Sequence, residues 1–322
     1  MPGTSEHNDR STWWGVFGLL VLVGTLWAAA TPPVTGPDEV EQARRAAAVV
    51  RGDLIGARQP NVPPLVVEVR VPQTYGEASV DHWRCFLGPL VAGSPQEAMP
   101  LPPSTCPELS SSRSLTTVQT VQYRGQPFFY AWVGLGTFWP GPFGTYLMRF
   151  LSVLPVAALL ASAASSARLT GRGRLAGLAV ACVITPMVMY LAGSTNPSAL
   201  EVAAAACGWT TGMVLADVRL TPTHRTVARF GLAVVVLSLT RGLGPLFSGF
   251  LLVGVAVVAG WQRSRELARR RDLQAWAAAV VVAVGLSAAW LAHLQSHYAL
   301  PPRPGTGWHH ALGYLPWYLR QA

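Results

Sequence analysis

Seven long apolar runs constrain this chain more than any other feature. A helix rising about 1.5 Å per residue needs about 20 apolar residues to cross about 30 Å of hydrocarbon. Trp13–Ala30 is the first such run, and six follow a long polar stretch: Leu147–Ala167, Leu175–Gly193, Leu200–Leu215, Val227–Thr240, Leu246–Trp261 and Trp276–Leu294. The pattern predicts an all-α polytopic membrane protein of about seven transmembrane helices with a large first outer loop. Only 12% of the 322 residues are charged, half the roughly 25% of a soluble domain, which argues against a soluble enzyme and against a disordered chain. The basic residues behind the net charge of +9 are all arginines, and most sit between the apolar runs. This charge reads as a topological signal and not as a nucleic-acid surface.

Orientation follows the arginines of the short connections. Arg168, Arg172 and Arg174 lie in one, and Arg219 and Arg225, with Arg229 adjoining, in the next on that side. Arg263, Arg265, Arg269, Arg270 and Arg271 lie in the third, while the opposite connections hold chiefly Arg241. The arginine-rich side is expected to be cytoplasmic, in the plasma membrane. That gives a cytoplasmic N-terminus (1–12), a first span (13–30), a large outer loop with interfacial helices (31–144), a six-helix bundle (145–294) and an outer C-terminal segment (295–322). A cleaved secretory signal is the rival reading of the first run, because Ala28–Ala30 resembles a cleavage site. The run is long for a signal, and Pro32-Pro33 follow at once. Pro127–Trp139 is too short to cross and is expected to lie in the outer interface, anchored by Tyr130, Trp132 and Trp139. Val227–Thr240 and Leu246–Trp261 should form a tight hairpin turning at Arg241-Gly-Leu-Gly-Pro245.

The outer loop is long enough to be functional. Glu39–Arg51 reads as a short helix that Asp38 can cap. Leu65–Val71 is β-prone up to Pro72, and the Pro and Gly content beyond it predicts irregular structure. Cys85 and Cys106 lie in this outward loop, where a disulfide is expected. Cys182 and Cys207 lie within spans as packing residues. No CxxC or HExxH pattern occurs, and His309-His310 has no third ligand nearby, so no metal-ligating residues are named.

Charge near a membrane needs a reason. Asp38, Glu39 and Glu41 follow the first span, Glu201 follows Ser194-Thr-Asn-Pro-Ser198, Arg149 opens the second span and Arg241 closes the fifth. All fall on the outer side, where carboxylates could take a proton from a hydroxyl and arginines could hold phosphate oxygens. The plainer alternative is that Asp38 caps its helix while Arg149 and Arg241 snorkel to headgroups.

The run Thr31-Pro-Pro-Val-Thr-Gly-Pro-Asp-Glu39, with Gln126-Pro-Phe-Phe-Tyr130, Leu147-Met-Arg-Phe-Leu-Ser152, Asn196-Pro-Ser-Ala-Leu-Glu201 and Thr240-Arg-Gly-Leu-Gly-Pro245, resembles a bacterial membrane family. It is catalogued as domain of unknown function 2142. Ser198 departs from the Asp common there, and the chain ends soon after the seventh run, where relatives continue. That family in turn resembles the GT-C glycosyltransferases, which take a sugar from a polyprenyl-phosphate donor. The resemblance implies Asp38 as general base with Glu39 its neighbour, Arg149 and Arg241 on the donor phosphate, and Glu201 and Asn196 in support. It implies as partners a polyprenyl-phosphate-linked sugar, an envelope glycan or lipid acceptor and membrane lipids. A divalent metal stays open. The contrasting reading is a non-catalytic envelope transporter or assembly protein, for which Pro155 and Pro186 could supply broken helices.

Overall fold

Proline and glycine set where the helices of this chain stop. The computed structural model describes residues 2–57, 66–91, 106–170 and 173–298. The aromatic stretch Trp308–Leu319, including His309-His310, lies outside the described residues. Among them, three quarters of the structure is helical. The order is α1 (Pro2–Ala30), α2 (Glu39–Val49), β1 (Val67–Pro72), α3 (Glu77–Val91), β2 (Leu115–Thr120), α4 (Pro127–Val133), α5 (Gly141–Ala167), α6 (Gly173–Val183), α7 (Pro186–Ala192), α8 (Pro197–Ala216), α9 (His224–Thr240), α10 (Gly244–Ala268) and α11 (Arg271–Tyr298).

Five of these are long and apolar enough to cross a membrane, namely α1, α5, α8, α10 and α11. A sixth forms if α6 and α7 count as one span bent by 57°. The bend has a local cause. Pro186 has no N–H to donate and clashes with a preceding turn, so it begins a new helix, and Thr185 Oγ1 caps that helix from Val188 N at 3.2 Å. Pro155, the other expected break, lies inside an unbroken α5. The hairpin is present: Gly244 N donates to Arg241 O at 2.9 Å. A Cβ at Gly244 would lie 2.2 Å from Leu237 O, so the turn requires glycine. α9, at 17 residues, covers only about 25 Å.

In the bundle α1 packs on α5, α5 on α8, α8 on α9 and α10, and α9 on α11. Ala157, Ala161, Ala203 and Ala204 are fully buried or nearly so, and such small residues let helices approach closely. Away from these contacts α10 and α11 are apolar outward, with Val257 75% and Trp261 76% exposed, as a lipid-facing surface would be. Polar groups sort to the two ends. At one, Arg229 forks onto Asp9, Arg168 reaches Thr12, and Arg263 and Arg270 bind the carbonyls of Leu215, Asp217, Leu220 and Pro222. At the other end sits the loop between α1 and α5.

That loop is more ordered than its composition suggests. β1 pairs antiparallel with β2, Val69 opposite Val118, and α3 follows on Gly76. The expectation of irregular structure beyond Pro72 is therefore overturned at Glu77–Val91 and Leu115–Thr120, while residues 107–114 carry no helix or strand, as expected. The pairing is non-local, and Thr- and Gln-rich β2 shows its strand character only against β1. Cys85 and Cys106 are joined as a disulfide. Closing about 20 residues contributes roughly 3 kcal/mol in the chain-entropy model. Replacing both cysteines with serine is expected to make this loop cleavable at protease levels that leave the parent intact, with the bundle unaffected. Tyr130 is also corrected. Trp132 and Trp139 on and after α4 are about half exposed, but Tyr130 is 1% exposed and faces α2. It is a core residue and no surface anchor.

Candidate functional site

The loop leaving α1 is strained. Among the described residues Val34 and Asp38 are the non-glycine positions with positive φ, both at 55°. A buried β-branched residue there is an outlier that its surroundings must enforce. Asp38 stands at the N-cap position of α2, where an extended backbone would aim its carboxylate at the helix amides. In the left-handed conformation it makes no cap bond, which overturns the capping expectation. Its side chain is exposed, with no hydrogen-bond partner among the described residues.

Glu39 does the tethering that Asp38 does not. Its Oε2 accepts from Gly36 N at 3.0 Å and its Oε1 from Thr195 N at 3.2 Å. A Cβ on Gly36 would approach Ser194 Cβ to 2.8 Å, so glycine lets the two loops meet. Both Glu39 oxygens also accept from Arg149, through Nε and Nη2, at 2.7 Å each. The remaining Arg149 donors go to the carbonyls of Ala28 (2.7 Å), Thr31 (2.6 Å) and Pro32 (2.7 Å). All five guanidinium N–H groups are thus spent inside the protein, and Arg149 is wholly buried. This pair holds the end of α1, the start of α2, α5 and the α7–α8 loop together. Asn196 joins the same clamp: its Oδ1 accepts from Ser198 N, and its Nδ2 donates to Pro37 O at 3.4 Å.

A second set of polar groups lies beside Asp38. Gln42 and Arg45, three residues apart, share one face of α2, and Asp38 stands just ahead of its first turn. Tyr130 OH donates to Gln42 Oε1, and Gln122 Nε2 donates to Tyr130 OH at 3.3 Å. Burial pushes the Tyr130 phenol above its ordinary pKa; Gln122, Arg45 and Arg241 pull it back, and Asp38 raises it further. Arg45 is 1% exposed, flanked by the rings of Tyr130 and Trp290 at 5.8 and 5.5 Å. Its Nη atoms donate to the carbonyls of Leu54 and Gly125, and no carboxylate lies within ion-pair distance among the described residues. Burial lowers its pKa to about 10, so it stays charged at neutral pH. Gln126 Nε2 bridges Arg241 O and Ser287 Oγ. The half-exposed Arg241 side chain reaches Glu201 at 3.6 Å.

Ten buried side-chain polar atoms among the described residues lack a partner, and four belong to this contiguous set: Arg45 Nε, Gln126 Oε1, Glu201 Oε1 and Trp290 Nε1. Buried polar atoms are normally paired, so these four are the groups of the cluster with hydrogen-bonding capacity left over. An apolar cavity of about 190 Å³ adjoins it, lined by Phe128, Phe129, Trp132, Leu200, Val236 and Thr240 among others.

The structure thus brings Glu39, Arg149 and Asn196 into one clamp, leaves Asp38 exposed next to it, and sets Arg241 and Glu201 beside a cluster that includes Arg45. Arg45 was not expected from the sequence. Among the described residues no group of three His, Cys, Asp or Glu side chains is placed to hold a metal ion. Residues 20–320 match the model of a family described as predicted membrane protein, DUF2142. No curated protein and no solved structure matches the chain.

Proposed function

The chain belongs to the DUF2142 family of predicted membrane proteins, and from that premise we propose that it is a GT-C-like membrane glycosyltransferase of the bacterial plasma membrane. It moves a sugar from a polyprenyl-phosphate donor to an envelope glycan or lipid acceptor. In this reading the bundle crosses seven times, with α6–α7 as one bent span and α9 as a short one, and the arginine-rich end is cytoplasmic. The observation that carries the proposal is the unpartnered Asp38 carboxylate beside a buried cationic cluster with orphaned polar atoms.

The chemistry balances with these groups. Asp38 takes the proton of the acceptor hydroxyl as that oxygen bonds to the anomeric carbon. The bond from that carbon to the donor phosphate oxygen breaks, and the phosphate leaves with its negative charge held by Arg241 and Arg45. Arg149 has no N–H left for this work, so its part is to fix Glu39 and the strained loop that aims Asp38. The polyprenyl chain would run into the cavity behind Phe129 and Leu200.

The bent α6–α7 pair favours a second reading, a transporter or assembly protein, since broken helices often mark transport sites. Deleting the gene separates the two. A transferase leaves a polyprenyl-phosphate sugar accumulating and its envelope acceptor unmodified, and both should revert on complementation. An unchanged pool of lipid-linked sugars, with a transported solute missing instead, would overturn the enzyme.

A further inference from the structure

The opposite end of the bundle holds a cavity of about 470 Å³, lined by Asp9, Arg10, Trp13, Trp14, Ser162, Arg225, Ala228 and Arg229. We propose that it binds the phosphate-bearing headgroup of an anionic lipid. The volume lies within the roughly 300–1,000 Å³ of small-molecule sites, larger than a bare phosphate needs. Its floor is built. Arg229 forks onto Asp9 at 2.9 and 3.1 Å, each side chain no more than 15% exposed. Trp13 Nε1 donates to Ser162 Oγ at 2.9 Å, fixing the indole that forms one wall, and Phe17 stacks on its ring.

Asp9 neutralises Arg229, which leaves Arg10 and Arg225 as the charge at the mouth. Neither makes an ion pair among the described residues. Two guanidiniums flanked by indoles suit a phosphate diester, which carries one negative charge and presents oxygens to forked donors. Basic pockets between membrane helices are a known setting for anionic headgroups. The way out for acyl chains is also present: Trp14, Leu19, Leu22 and Leu26 on α1 are each more than half exposed. The cavity lies where α1, packed on α5, diverges from α9, packed on α8 and α11. A headgroup there would tie α1 to α9 beyond the Asp9–Arg229 pair. This inference does not depend on the transferase reading.

The test uses the full chain in detergent, titrated with short-chain phosphatidylglycerol, short-chain phosphatidylcholine and inorganic phosphate, and read by thermal shift and native mass spectrometry. Saturable binding of phosphatidylglycerol is expected, with little from the other two. The Arg10→Gln/Arg225→Gln double variant should weaken it at least tenfold, and Trp14→Ala should weaken it separately. Arg219→Gln/Arg265→Gln removes the same charge from the same end outside the cavity and should leave affinity unchanged. An equal loss in that control would show diffuse attraction and overturn the site. An equal response to inorganic phosphate would overturn the lipid as its occupant, and absence of saturable binding would overturn both.

Discussion

Glu39→Gln is expected to cost about 3–5 kcal/mol of stability, because it removes the counter-charge of a fully buried arginine. Arg149 would keep its bonds to the carbonyls of Ala28, Thr31 and Pro32, but carbonyls carry no compensating charge. The glutamine also offers an N–H where Arg149 Nε or Nη2 now donates, setting donor against donor. The same loss should follow from Arg149→Met, which strands the carboxylate. The double variant Glu39→Gln/Arg149→Met should lose less than the sum of the two, since each single change already breaks the shared interaction. Thermal unfolding of the detergent-solubilised protein measures this. Additive losses would mean that the two residues do not act as a pair.

Asp38→Asn is expected to lower transfer by about 10²–10⁴-fold, the usual contribution of a positioned general base, while leaving folding and membrane insertion intact. Its carboxylate is exposed and holds nothing together, so the amide costs the structure little. Asp38→Gly sharpens the test. Glycine adopts the left-handed backbone freely, so this variant should unfold about 1 kcal/mol later than the parent and still be inactive. A more stable, inactive protein identifies a residue kept for chemistry against its own conformational preference. Full transfer activity in either variant would remove Asp38 from the mechanism.

Five membrane-length helices, and a sixth as a bent pair, were legible because their signal is additive: a long apolar run announces itself whatever surrounds it. The limits of individual helices were less so. α10 breaks at Gly260 (φ 73°), one residue before its apolar run ends, and a further helical piece continues to Ala268, while α5 starts at Gly141, before its run begins. The loop was harder. β2 depends on a partner more than forty residues away, and α3 rests on a stripe formed by Val80 and Trp83 amid flanking prolines and glycines. At the site, residue types and their side of the membrane were readable, but the division of labour was not. Asp38 and Glu39 are adjacent carboxylates on paper. A single left-handed φ turns one outward to solvent and leaves the other beneath it as a structural acceptor. Nor does any local pattern reveal that Arg149 spends every donor inward while Arg45, in an Ala-rich helix, is held by the carbonyls of Leu54 and Gly125.

The distance in sequence between Glu39 and Arg149, 110 residues, bears on how the chain is made. Ribosomes deliver the N-terminal partner first. Arg149 is synthesised after its counter-charge, and the carbonyls of Ala28, Thr31 and Pro32 that take its remaining donors come from the same earlier segment. Every hydrogen-bond acceptor of this guanidinium thus precedes it in the chain.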